Sequence, residues 1–334
     1  MRIAVTGAAG FLGSHLVDRL LGLGHSVVGI DSLIYGSRAN LAQQAGNRRF
    51  TFVEADVRDM PALNEACRSA DVIVHLAAHK IPRYGGAIDT LLVNADGTRH
   101  VLDIARYGQR KVVFASTSDV YGKSPDLPFR EDGDLVLGPS RVKRWSYAVS
   151  KLFDEHLCFA FAEEYELPVV ALRFFGSYGP RHHLSWWGGP QSVFISAALR
   201  GEPITIHGDG LQTRSFTYVS DTVDGIVRAT LSDAADGEVL NLGCDHEITI
   251  LELARTIHGL CGAAGEPNLE FIPYESFTGK RYEDVRRRVP DCSKAQRLLG
   301  WRAHVALEAG LARTIEWHRA ALEGADRALV GAGS

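Results

Sequence analysis

MRIAVTGAAGFLGSHLVDRLLGLGHSVVGID, residues 1–31, sets an apolar run at Ile3–Val5 ahead of glycines at 7, 10 and 13, then a helix-like stretch and a second apolar run closing on Asp31. Glycine at such positions tightens the turn, lets backbone N–H groups approach a pyrophosphate, and lets the following helix pack close to the strand. The spacing is G-x-x-G-x-x-G rather than G-x-G-x-x-G, and a glycine triplet alone says little. Strand, turn, helix, second strand and terminal acid in this order make it a dinucleotide cradle. Asp31 can accept from both ribose hydroxyls and would repel a 2′-phosphate, which favours NAD over NADP; Arg38 is the nearby residue suited to the phosphate.

Outward from this stretch, strands are predicted near 2–6, 26–31, 51–54, 71–75, 111–115 and 168–173, with helices near 11–23, 60–68, 90–107 and 147–165. Alternation of continuous apolar strands with helices implies an α/β fold: a Rossmann-type, doubly wound parallel sheet covered on both faces. Beyond Arg173 the texture changes to YGPRHHLSWWGGP and short strands at 204–206 and 239–242. We therefore divide the chain into a dinucleotide-binding domain over 1–175, a smaller C-terminal substrate-binding lobe over 176–323, and a frayed tail over 324–334. Helices of the smaller lobe are expected at 190–200, 220–231, 249–262 and 305–322.

The 334 residues are 46% hydrophobic and 23% charged, enough for a large core, and a net charge of −4 gives no basic footprint for nucleic acid or an anionic membrane. Five scattered cysteines, with no C-x-x-C pair, argue against a disulfide framework or a zinc site, and we expect no metal. A reducing cytoplasm suits them. Met1 runs almost directly into the first strand, leaving no room for a signal peptide, and no apolar stretch is long enough to span a bilayer.

Chemistry enters at Ser146-Tyr147-Ala148-Val149-Ser150-Lys151. Residues four apart share one helix face, so a Lys151 ammonium can sit beside the Tyr147 phenol. That cation, with the charge of an oxidised nicotinamide, would lower the tyrosine pKa toward a general base. A hydroxyl-rich strand end, FASTSDVYG (114–122), lies between the cradle and this pair. Parallel sheets place catalytic groups at such strand ends.

These motifs, with HLAA (75–78), RFFGSYGPR (173–181) and GDGLQTRSFTYVSD (208–221), resemble the extended short-chain dehydrogenase/reductase family over about residues 1–320, in particular its nucleotide-sugar epimerases, dehydratases and decarboxylases. The resemblance implies that Thr117 shares a proton with the sugar O4, that Tyr147 removes it, and that Lys151 tunes Tyr147 and holds the nicotinamide ribose. It puts Gly7, Gly10, Phe11, Leu12, Gly13 and Asp31 along the cofactor, Asp56 and Val57 by the adenine, and Leu76, Ala77, Ala78 and Lys80 beside it. NAD would stay bound and be recycled.

Hydride removal makes a C4 ketone. In a hexuronate that ketone is β to the carboxylate, so carbon dioxide can leave; in a hexose it acidifies C5–H and lets the 6-hydroxyl go as water; or the ketose turns over and takes the hydride back on its other face. Dehydratases of the resembled family carry Asp-Glu before VYG, decarboxylases Ser-Glu, and plain epimerases neither acid; here the pair is Ser118-Asp119. Arg144 occupies a position where UDP-glucuronate decarboxylases and UDP-apiose/xylose synthases carry arginine, and a guanidinium can hold a carboxylate bidentately. GKRYEDVRRRVPD (279–291) looks like the decarboxylase segment that supplies a tyrosine and an arginine to the substrate pocket, here Tyr282 and Arg288.

Arg214 resembles the family arginine on the diphosphate, and Arg181 closes the RFFGSYGPR segment. Gly176 stands where most relatives have an asparagine on the diphosphate. Adjacent histidines, His182 and His183, lack metal-ligand spacing, and Trp186 and Trp187 are expected to pack. The leading reading is UDP-glucuronate decarboxylation, followed by 4-epimerisation of UDP-glucose or UDP-glucuronate, then 4,6- or 5,6-dehydration. A non-catalytic NAD-sensing scaffold would keep the cradle without the tyrosine-lysine pair. Apolar faces on the helices near 90–107 and 147–165 point, by the same resemblance, to a homodimer.

Overall fold

The computed structural model describes residues 1–80, 86–274, 276 and 284–331. Six apolar segments form strands β1 (Arg2–Thr6), β2 (Ser26–Asp31), β3 (Phe50–Glu54), β4 (Val72–His75), β5 (Lys111–Thr117) and β6 (Val169–Phe174). Between them run helices α1 (Phe11–Gly22), α2 (Met60–Cys67), α3 (Ala87–Tyr107) and α4 (Trp145–Tyr165). The sheet order is β3-β2-β1-β4-β5-β6 followed by a seventh strand, Val239–Leu242, with every pairing parallel. Strand order reverses between β1 and β4, and sheets of this kind open their ligand crevice at that point.

Period-two alternation sorts the core into two layers. Ile3 and Val5 of β1 join Leu16, Val17 and Leu20 of α1 on one face, while Ala4 joins Leu63 of α2, Val101 and Leu102 of α3 and Cys158 of α4 on the other. Both faces are buried, as the continuous apolar strands required.

Two departures from the sequence reading concern the C-terminal part. Val239–Leu242, assigned there to the smaller lobe, pairs with β6, Leu240 lying opposite Leu172. Helix Val219–Leu231 likewise packs on α1. The buried edge of β6 needs a backbone partner, and a four-residue apolar run does not reveal which sheet it completes. The last helix runs Leu307–Gly331, through most of the segment expected to fray. Ala, Leu and Arg there are good helix formers, which outweighs the isolated glycines. The rest of the lobe is short strand pairs and helices, among them Pro190–Arg200 and Ile250–Leu260, the latter opened by a Thr249/Glu252 capping box.

Candidate active site

The turn after β1 closes as tightly as the glycines promised. Gly7 has φ +70°, and a Cβ on it would sit 2.9 Å from the Ala77 amide nitrogen; a Cβ on Gly13 would run into the Gly7 carbonyl oxygen. Gly10 caps α1 without a side-chain hydrogen bond, and the first turn holds no acidic residue. The first-turn amides, with the positive end of the helix dipole, are therefore open to an anion, which fits a dinucleotide pyrophosphate. Asp31 accepts from the backbone N–H of Ala9 at 2.9 Å and of Leu33 at 2.8 Å. Burial pushes its pKa up, and those amides pull the other way. Arg38 pairs with Glu54 at 2.5 Å on the surface, so a carboxylate engages the guanidinium that a 2′-phosphate would need.

A cavity of about 940 Å³ runs from Asp31 past the glycine turn to the ends of β4 and β5 and into the smaller lobe. The candidates named from the sequence, including Asp56, Val57, Leu76, Ala78 and Lys80, line it, apart from Tyr282, which lies outside the described residues.

At its centre Tyr147 lies beside Thr117, whose Oγ1 accepts from the Asp119 amide at 3.2 Å. Lys151 is buried, its Nζ 3.9 Å from Asp154 Oδ2 and 4.4 Å from the centre of the Phe114 ring. Burial lowers its pKa, while burial pushes Asp154 up to about 6. The lowering expected of Tyr147 counts on an oxidised nicotinamide beside it, and the protein's own groups work against it. Burial of the phenol, then the charges of Asp119 and Asp154, raise its pKa, and the Thr117 hydroxyl beside it only partly opposes them. Lys151 sits against Asp154, so the depression has to come from a positive charge added beside the phenol, such as an oxidised nicotinamide.

α4 is held against the strand ends by ions the motif reading passed over. Arg173, the first residue of RFFGSYGPR, donates to Glu155 of α4 at 3.0 and 2.7 Å, and Ser116 of β5 donates to the same carboxylate. All three are buried.

Beyond Tyr147 the cavity turns cationic. Arg288 meets Asp119 at 2.7 Å; Arg144 lies 3.7 Å from Asp119 and 3.4 Å from Asp284; Arg214 meets Asp284 at 2.8 Å. Tyr274 donates to Asp284 at 2.6 Å. Burial would raise the pKa of Asp284, but Arg214 and Arg144, with the Tyr274 hydroxyl, hold it far below the usual carboxylate range. Sequence spacing gave no sign of Asp284 or Tyr274; both come from the loop-rich segment where periodicity is silent.

Arg181 turns to α1 and pairs with Asp18 at 2.8 Å. Gly176 has φ +43°, and a Cβ on it would strike the Ser215 carbonyl oxygen, which accounts for glycine where asparagine was the resembled pattern. The paired tryptophans pack, but on cavity-wall aromatics: Trp186 stacks on His207 at 4.3 Å and Trp187 lies on Tyr35 at 4.5 Å. His182 is buried edge-on against Phe11.

A hydroxyl pair able to exchange a proton, beside a crevice shaped for a dinucleotide, defines an NAD-dependent enzyme on a Rossmann sheet. Residues 3–243 match the NAD dependent epimerase/dehydratase family, and the chain belongs to it. It is 37% identical over 320 residues to the UDP-N-acetyl-alpha-D-glucosaminuronate decarboxylase of Bacillus cytotoxicus, covering 95% of this chain and 98% of that one. It is also 37% identical to UDP-glucuronic acid decarboxylase 1 of Xenopus tropicalis, over 96% of this chain and 73% of that one. Among solved structures it resembles the UDP-glucose 4-epimerase of Thermotoga maritima with UDP-glucose, with a TM-score of 0.86, 31% identity and coverage of 96% and 100%.

Proposed function

We propose that this enzyme decarboxylates a UDP-hexuronate, UDP-glucuronate or its 2-acetamido counterpart, through a transient C4 ketone. The observation that carries the reading is the convergence of Arg144 and Arg288 on Asp119, one strand-end turn from Thr117 and Tyr147. Among the described residues three guanidiniums meet two carboxylates at this end of the cavity, an arrangement suited to a sugar that brings its own carboxylate. The decarboxylase relatives support the same choice.

The glycine turn, Asp31 and Lys151 would hold NAD, which would supply the acceptor and then the donor of the C4 hydride. Tyr147, relayed by Thr117, accepts the O4 proton as the ketone forms. The C5–C6 bond then breaks, carbon dioxide leaves, and the electron pair spreads onto O4. C5 takes a proton that solvent supplies on the side of Asp119, and Tyr147 returns its proton to O4 as C4 regains its hydride. Arg144 holds the departing carboxylate, and Arg214 grips the diphosphate. By the same reading Lys80 would serve the cofactor or the substrate phosphates, and Gly176, Arg181 and Tyr282 would serve the substrate, Arg181 by leaving its pairing with Asp18.

The likeness to a 4-epimerase supports a second reading, turnover of the ketose without bond loss. Dehydration lacks the second acid, since Ser118 stands where it would be. Incubation with UDP-glucuronate, its 2-acetamido counterpart, UDP-glucose and dTDP-glucose, followed by mass, separates the three: loss of carbon dioxide, loss of water, or a new isomer. No helix of the described residues is long and apolar enough to cross a membrane. We take the enzyme to be a homodimer, because Ile88 and Leu92 of α3 and Val149 and Phe153 of α4 present an exposed apolar face, between 44% and 71% accessible.

A further inference from the structure

β1, which ends in the glycine turn, lies between β2 and β4. The loops that follow these two flanking strands meet above it. Tyr35, in the loop beyond Asp31, and His79, in the loop beyond β4, stand 2.9 Å apart, hydroxyl to Nε2. From the smaller lobe Trp187 lays its ring on Tyr35, centroids 4.5 Å apart at 31°, and meets His79 edge-on at 6.2 Å. All three line the cavity that holds the glycine turn and Asp31. One side of this arrangement is anchored and the other is loose. His79 is buried, bonded through Nδ1 to Thr90 Oγ1 at 2.9 Å, with its backbone N–H donating to Asn94 Oδ1 at 2.7 Å. Tyr35 is 56% exposed.

We infer that Tyr35, Trp187 and His79 form an aromatic clasp that closes over NAD on the glycine turn and retains it between turnovers. The inference rests on the cofactor cradle described above and assigns residues to it that no motif marks. A dinucleotide lying from the glycine turn to Asp31 runs beneath the bridge between the β2 and β4 loops. It enters and leaves when Tyr35 and Trp187 part. Retention suits the chemistry, because a hydride taken from C4 must be returned to the same sugar, and loss of the reduced cofactor would strand the ketone. The anchor also reaches the catalytic helix: Asn94 donates to Ser150 Oγ at 2.9 Å, and Ser150 to the Tyr147 carbonyl at 2.9 Å.

The test is cofactor exchange on the full-length protein. Wild type, Tyr35→Ala, Tyr35→Phe, Trp187→Leu and the Tyr35→Ala/Trp187→Leu double variant are loaded with labelled NAD and chased with unlabelled NAD. Trp317→Phe, on the last helix, serves as the control for losing a tryptophan. Each single truncation should release label roughly tenfold faster, the scale of one aromatic contact with one hydrogen bond. The double should release little faster than either, because both act through one contact. Tyr35→Phe, which keeps the ring and loses only the bond to His79, should lie between wild type and Tyr35→Ala. Folded Trp187→Leu and Tyr35→Phe proteins that hold label as long as wild type overturn the clasp. Wild type that takes up no label and releases no NAD when denatured overturns the cradle itself, and the clasp with it.

Discussion

Arg288 meets Asp119 at 2.7 Å, and Arg144 stands 3.7 Å from the same carboxylate oxygen, so two cations from distant parts of the chain flank the one acid that follows Thr117. In this account they divide the work between ground-state binding and the steps after oxidation. Arg144→Ala should weaken UDP-glucuronate by roughly 1.5–3 kcal/mol and leave UDP-glucose binding nearly unchanged, as titration calorimetry would read. Asp119→Asn should still form NADH, seen by its absorbance, and stall before product. Asp119 is the second cause raising Tyr147, so its neutralisation lowers the phenol pKa and moves the acid limb of NADH formation to lower pH. Unchanged affinity in the first variant together with full turnover in the second would favour the epimerase.

Tyr147→Phe removes the proton acceptor and keeps the ring. Hydride transfer from C4 should slow by at least ~10²-fold, while folding and NAD binding persist. Near-normal single-turnover rates would mean that another group takes the O4 proton.

Restoring the resembled asparagine should do harm. Gly176→Asn places a Cβ against the Ser215 carbonyl at φ +43°, and the cost should be about 1–3 kcal/mol, measured as a lower urea midpoint. A variant as stable as wild type would show that the Ser215 strand yields freely.

Exposed Phe153 on α4 gives the quaternary proposal its handle. Wild type should sediment as a dimer at micromolar concentration, and Phe153→Glu as a folded monomer. A wild-type monomer would remove the proposal.

Much of the architecture was legible because its signals are local. Ile3–Val5, the three glycines and Asp31 specify a βαβ unit within one stretch, and Tyr147 and Lys151 announce a helix face by spacing alone. What escaped depends on contacts between distant segments. Val239–Leu242 carries no mark of the sheet it joins, and Asp284 becomes meaningful only once Arg144 and Arg214 are brought to it. The protein's own pull on the Tyr147 pKa escaped for the same reason. It is set by burial and by Asp119 and Asp154, whereas the sequence shows only the lysine four residues away.

The central claim concerns the bond that breaks. UDP-glucuronate isotopically labelled at its carboxyl carbon, given to the NAD-loaded enzyme, should yield labelled carbon dioxide and an unlabelled UDP-pentose in equal amounts. Label retained in full both in UDP-glucuronate and in its likewise labelled 2-acetamido counterpart, whether unchanged or converted to the C4 epimer, would contradict the account.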